Sequence, residues 1–512
     1  MSGVVGPIAM SYAALERQQK RVAHLEHLEA IAAWDEATMM SEGGGDARGE
    51  ALATLRGLIH DESVKPEMGD WIAAAEAAAG ELDAWQAANL REIKRTWVRA
   101  TALPSSLVEA TSLVESKSEQ AWRRLRAEND WASFEPYMRE VFAKKREVAQ
   151  ALSDKLGLEP YDALLDGFEP GAKSAAIAVL FERLGAFLPS FIARVVEKQK
   201  SETVVRPLGP FPTERQRRLG VELMRRLGFD FKRGRLDVSH HPFCGGVPED
   251  VRITTRYDDA DFAKAMMGVL HETGHAKYEQ HLPLRWLGQP VGRARSMGVH
   301  ESQSLFLEMQ VSRSREFATF VAPLLAEAFP DNARRTPGAF DPANLHALAT
   351  RVTPSFIRVD ADEVTYPCHI ILRFEIESAL VRGTLDVRDV PDAWDERMQR
   401  LLGISTRGNF KNGCMQDVHW PAGLVGYFPT YTLGALLAAQ LFETAAREVP
   451  HLGPSLERGE LAPLDAWLSE KVWGQGSRLE TDALVRQATG RPLDTAAFER
   501  HLARRYLGAA SA

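Results

Sequence analysis

In GVLHETGHAKYE, His271 and His275 stand four residues apart, with Glu272 directly after the first. On a helix, side chains four apart leave the same face, so the two imidazoles can reach one ion together. Glu272 projects about 100° round the helix from His271, near enough to serve a water at that ion without ligating it. That is the division of labour of a metallohydrolase: the ion acidifies a water toward a pKa of ~7 and the carboxylate takes its proton. An HExxH string also arises by chance, so a third ligand decides the matter. Nine of the fourteen histidines fall between positions 240 and 419. In SMGVHESQSLFLEMQ, Glu301 is the best-placed carboxylate, 26 residues beyond His275, and Glu308, two turns on along the same face, is the alternative. Two imidazoles and a carboxylate leave the fourth position of a tetrahedral ion open, as catalysis requires. The set suits one Zn²⁺ per chain, with Co²⁺ a possible substitute.

Those residues need a frame. DDADFAKAMMGVLHETGHAKYEQ reads as a helix with an Asp-rich start and Phe262, Met266 and Leu270 on its apolar side. The first 200 residues read as helix after helix. Leu15, Val22, Leu25 and Leu28 form an amphipathic stripe, and Pro104 opens a helix. Pro136 and Pro160 mark further breaks, and six tryptophans between Trp34 and Trp131 read as helix packing. The clearest strand is DVRITTRY, 250–257. No repeat, low-complexity tract or long linker divides the chain. The expected fold is mainly α: one large helical domain over 1–512, with a small β element near the middle.

Composition narrows the class. With 45% hydrophobic and 26% charged residues and a net charge of −8, the chain is that of an ordinary globular protein. It carries no basic run with interleaved aromatics, so neither nucleic acid nor an anionic membrane is an expected partner. Cys244, Cys368 and Cys414 form no CxxC pair, which points to a reducing, cytoplasmic setting. MSGVVGPIAMSYAALERQQKR becomes charged before an apolar core develops, so no signal peptide is expected. The apolar LGALLAAQLF falls short of the ~20 residues of a membrane span.

Six short motifs then occur in order: HPF at 241–243, DVRIT at 250–254, HETGH at 271–275, HESQ at 300–303, IRVDAD at 357–362 and GCMQDVHW at 413–420. Together they resemble the carboxypeptidase Taq family of zinc metallocarboxypeptidases. GYFPTYTLG at 426–434 extends the likeness, and WDEATMM at 34–40 is a looser match, with Glu36 where an amide is expected. The resemblance implies a saddle-shaped, mostly helical molecule with a deep groove, walled by 1–200 and carrying the metal site in 201–512. It implies a homodimer that removes single residues of broad type from peptides with a free C-terminus. On that resemblance His271, His275 and Glu301 hold the zinc, and Glu272 is general base and acid.

A carboxypeptidase also needs a planar grip on the terminal carboxylate, for which Arg is the suited residue. Arg358 is the first candidate and Arg252 the second; the alternative for Arg358 is an internal pair with Asp360 or Asp362. Oxyanion donors are sought in His419, Tyr427 and Tyr431. His241 is a candidate for the substrate subsites, with His240 left as structural. Gln416 and Asp417 are candidates for orienting the ligands by hydrogen bonds. A helical oligoendopeptidase uses the same zinc chemistry, and an inactive metal-binding scaffold is the remaining alternative.

Overall fold

The computed structural model describes residues 7–508, with side chains from residue 11. The stretch 1–6, part of the signal-peptide reading, lies outside the described residues. The chain is mainly helical with one small sheet, as its sequence implies.

The first helix, Pro7–Thr38, buries Leu15 and Val22, but Leu28 is 57% exposed, so the apolar stripe stops short of its predicted length. Pro160 falls at a break as expected, starting the helix Pro160–Leu165, whereas Pro136 sits inside the helix Trp131–Leu156, capped by Asp130. Among the described residues, one helix outside the LGALLAAQLF stretch, Ser174–Gln199, is long and strongly apolar, with a window of mean hydropathy 1.6. By length and composition it could cross a membrane; here its Phe181, Leu184 and Leu188 join the main core.

DVRITTRY supplies β3 (Asp250–Thr255), the middle strand of a three-stranded sheet. Beside it run β1 (Gly234–Val238), parallel, and β2 (Cys244–Val247), antiparallel. Neither flanking strand shows in the sequence: both are short, and β2 is half glycine. Val251 and Ile253 point into a small core shared with Val269 and Ala276, which fixes the sheet against the helix Phe262–Gln280. Thr254 is also buried, bonded to Ser239 Oγ at 2.6 Å and to the Phe243 amide at 3.0 Å.

Most buried side chains form one continuous core. The N-terminal helices keep a second, separate one, built from Tyr12, Leu15, Met68, Ile72, Leu90 and Ile93.

Candidate metal centre

The helix Phe262–Gln280, hereafter the histidine helix, starts where Asp261 accepts from the amides of Ala263 and Lys264. The glutamate helix, Met297–Leu305, is capped by Ser296, whose hydroxyl accepts from the Val299 amide and donates to Glu169 at 2.7 Å. Its closeness to the histidine helix depends on Gly274: a Cβ there would lie 2.6 Å from Ser304 Cα. On the other side Gly434, in the helix Pro429–Glu448, does the same, since its Cβ would meet Glu301 Cβ at 2.9 Å. Two glycines thus let the glutamate helix lie between two others at backbone distance.

His271, His275 and Glu301 come together there, offering donor atoms within 4.8 Å of one another. Glu301 Oε2 lies 3.4 Å from His275 Nε2 and 3.9 Å from His271 Nε2. The other ring nitrogens are spoken for. His271 Nδ1 lies 3.0 Å from Glu308 Oε2, and a carboxylate there requires a proton on Nδ1, so Nε2 is the nitrogen that faces Glu301 and offers its lone pair once the ring is neutral. Glu308 is therefore an orienting acceptor and not the alternative third ligand. It sits on a π-helical turn, Phe306–Val311, and its other oxygen accepts from Arg313 at 2.9 Å. His275 Nδ1 lies 2.7 Å from His300 Nδ1, and His300 Nε2 lies 2.7 Å from Glu279. The carboxylate again sets the direction: His300 donates to Glu279 and accepts from His275, leaving His275 Nε2 unprotonated.

The electrostatics fit a cation. Burial pushes the His271 imidazolium down, but Glu308, Glu301 and Glu272 outweigh it and raise its pKa to about 10. Burial, with the neighbouring His300 adding to it, holds His275 down at about 4. Burial raises the Glu272 carboxyl to about 7. Glu301, despite burial, is lowered by His275 and His271 beside it. Three carboxylates around two imidazoles retain a proton on His271, and a divalent ion bound by the three donors would take over that charge. The donor set, its fixed tautomers and its excess of negative charge fit a divalent metal.

His271, Glu272, His275, His300 and Glu301 line a cleft of about 910 Å³. The first helix supplies one wall through Lys20, His24 and His27, the β2 region supplies Phe243 and Val247, and Tyr427 and Tyr431 complete the lining. Both tyrosine hydroxyls are raised, chiefly by burial, Tyr431 to about 12. His419 stands behind them, with Nε2 3.1 Å from the Tyr431 hydroxyl, and burial lowers it to about 4.

Other expected residues stand further off. Arg252 is not part of the lining: its guanidinium pairs with Asp250 at 2.7 Å and lies 4.2 Å over the Trp34 ring, which withdraws it from the site. His241 is exposed and also outside the lining, where its neighbours Pro242 and Phe243 take part instead. Arg358 is buried behind Tyr431, 5.0 Å from that ring, and pairs with Asp417 at 2.9 Å rather than with Asp360 or Asp362. Asp417 also holds Arg373 at 2.5 Å, and the two guanidiniums overcome burial to keep its carboxyl well below the usual range. Gln416 accepts from the Arg358 amide at 2.8 Å. Gln416 and Asp417 thus orient Arg358, not the histidines.

Sequence reasoning passed over His300, Glu279, Arg313 and Arg373. The first had a visible signal, since it opens the HESQ motif; the others are joined only by the fold.

Residues 14–506 match the family model of the carboxypeptidase Taq (M32) metallopeptidases. The chain is 40% identical over 506 residues to thermostable carboxypeptidase 1 of Thermus thermophilus, covering 97% of this chain and 98% of that one. It is 34% identical over 493 residues to carboxypeptidase 1 of Bacillus subtilis, covering 95% and 96%. The solved structure of Trypanosoma cruzi metallocarboxypeptidase 1 superposes with a TM-score of 0.95 at 44% identity, over 97% of this chain and 99% of that one. The chain belongs to the carboxypeptidase Taq (M32) family and is a metallocarboxypeptidase.

Proposed function

We propose that this metallocarboxypeptidase uses zinc, with cobalt able to substitute, to release single C-terminal residues of broad type from peptides. The observation that carries the reading is the convergence of His271, His275 and Glu301 in the same cleft as Glu272. A divalent ion held there supplies Lewis acidity, polarising the scissile carbonyl and acidifying the attacking water. Glu272 accepts the proton of that water and passes it to the leaving nitrogen; a carboxyl raised by burial is suited to both tasks near neutral pH. Tyr427 and Tyr431 face the cleft with phenols that stay protonated, so they serve as donors to the developing oxyanion. With its proton on Nε2, His419 donates to the Tyr431 oxygen and leaves the phenolic hydrogen free for substrate. Arg358 is the remaining candidate for the terminal carboxylate, held rigid by Asp417.

A second copy of the chain is its proposed partner on family resemblance alone. A cytoplasmic setting is proposed from the three unpaired cysteines, and neither nucleic acid nor membrane is a proposed partner.

The test is a timed digest of one peptide and its C-terminal amide, read by mass spectrometry, with Glu272→Gln as control. Single-residue losses from the free acid alone are expected. Internal fragments from both peptides would make it an endopeptidase, and metal binding without turnover would make it a scaffold.

A further inference from the structure

The π-helical turn Phe306–Val311 places Glu308 against His271, and a turn of this kind closes bonds one residue wider than an α-helix. Its backbone is held from outside, by the far end of the chain. Beyond the helix Ala496–Leu502, a second π-helical turn, Ala503–Leu507, carries Arg505. The Arg505 guanidinium donates to the carbonyl of Met309 and, at 2.8 Å, to that of Gln310, two consecutive carbonyls of the Glu308 turn. It also reaches Glu363 at 3.0 Å.

Glu363 is fully buried and gathers the rest of the assembly. It accepts from His501 at 2.6 Å, from the Tyr506 hydroxyl at 2.9 Å and from Gln310 Nε2, itself on the Glu308 turn, at 3.4 Å. Glu308 and Glu363 are thus two carboxylates within one polar cluster, with Arg313 and Arg505 as their cations. Without Arg505, the buried Glu363 loses its guanidinium partner, and its pull on Arg313, whose charge it already feels, competes with that of Glu308.

We propose that the C-terminal segment 501–506 is a positioning element of the metal centre: Arg505, with Glu363 and Tyr506, fixes the Glu308 turn and so the orientation and basicity of His271. None of these residues touches the ion or the substrate. The proposal rests on the reading of His271 as a metal ligand. Groups that orient a ligating imidazole typically account for 10- to 100-fold in metal affinity.

The test is made on the full chain, by chelator competition for Zn²⁺ and by the visible absorption of the Co²⁺-loaded protein. Arg505→Met is expected to weaken Zn²⁺ binding about tenfold or more and to shift the Co²⁺ bands. Arg505→Lys, which keeps the charge but not the two-carbonyl grip, restores part of the affinity. Exposed Arg504→Ala, on the same turn, changes neither readout. Wild-type affinity and spectrum in Arg505→Met overturn the proposal. So does an equal loss in Phe498→Ala, a core change on the neighbouring helix, since general loosening would then explain both. If Arg505→Met does not fold, Tyr506→Phe removes a single hydroxyl; a weakened Kd with shifted bands supports the proposal and unchanged values overturn it. His271→Ala separates the two readings. If it keeps Zn²⁺ affinity, the metal-site reading fails and takes this one with it; if it loses affinity while Arg505→Met does not, this proposal alone falls.

Discussion

His300 stands between His275 and Glu279, with 2.7 Å on either side, so the orientation of one candidate ligand depends on a carboxylate one turn along its own helix. His300→Ala removes the acceptor for the His275 Nδ1 proton and lets the ring turn or change tautomer. We predict a 10- to 100-fold weaker Kd for Zn²⁺. Glu279→Gln should weaken it less, because an amide oxygen still accepts from His300. Unchanged affinity in His300→Ala would show that the contact is packing alone.

Glu272 is assigned to proton transfer and not to holding the ion, and the two roles separate experimentally. Glu272→Gln should lower kcat by about 10²- to 10⁴-fold while Zn²⁺ binds nearly as in the wild type. A variant that loses the metal along with the activity would place Glu272 among the ligands.

Metal binding should tighten with pH. Glu308, Glu301 and Glu272 outweigh burial and hold a proton on His271 up to about pH 10. The free protein therefore carries a proton that the bound form lacks. Affinity is lowest in acid, rises by about tenfold per pH unit through neutrality and levels off above that pKa. Titrations from pH 6 to 8 in the presence of a competing chelator check the slope. A flat profile would mean that His271 is already unprotonated in the free protein.

Gly274 and Gly434 make a steric prediction. Alanine at either position puts a methyl group 2.6 Å from Ser304 Cα or 2.9 Å from Glu301 Cβ, and overpacking of this kind costs about 1–3 kcal/mol, with the glutamate helix displaced. Gly185, in the helix Ser174–Gln199, is the control: its added methyl meets only a leucine methyl at 3.8 Å. Gly185→Ala should be neutral or stabilising by up to about 1 kcal/mol. Thermal unfolding of the three variants decides whether close helix approach or helix propensity governs these sites.

The sequence made the centre legible and its surroundings much less so. HETGH is readable because four residues span one helical turn, and Glu301 because a loop of workable length returns it. Glu308 could stand as the alternative ligand because its spacing from Glu301 assumes a regular α-helix, and no residue type announces the π-turn that swings it onto the far nitrogen of His271. Arg252 stood second for the terminal carboxylate because guanidinium chemistry suits that role, but residue type does not say what covers a side chain; here that is Trp34, more than 200 residues earlier. Arg358 was expected first as the grip on the terminal carboxylate, with a pair to Asp360 or Asp362 as the alternative; it does have an internal partner, but that partner is Asp417, which only the tertiary fold brings beside it.

The N-terminal helices have a core of their own, separate from the main one. The first helix, which walls the cleft, rests on that smaller core and on polar contacts across the boundary, such as Gln289 to the Glu16 carbonyl at 2.8 Å. Such a layout behaves as two foldons of unequal stability. We predict that hydrogen exchange finds the amides of residues 11–38 exchanging through an opening that leaves the histidine helix protected. Equal protection of both would mean a single cooperative unit. Separate opening would give substrate and product a way past the wall while the metal ligands keep their places.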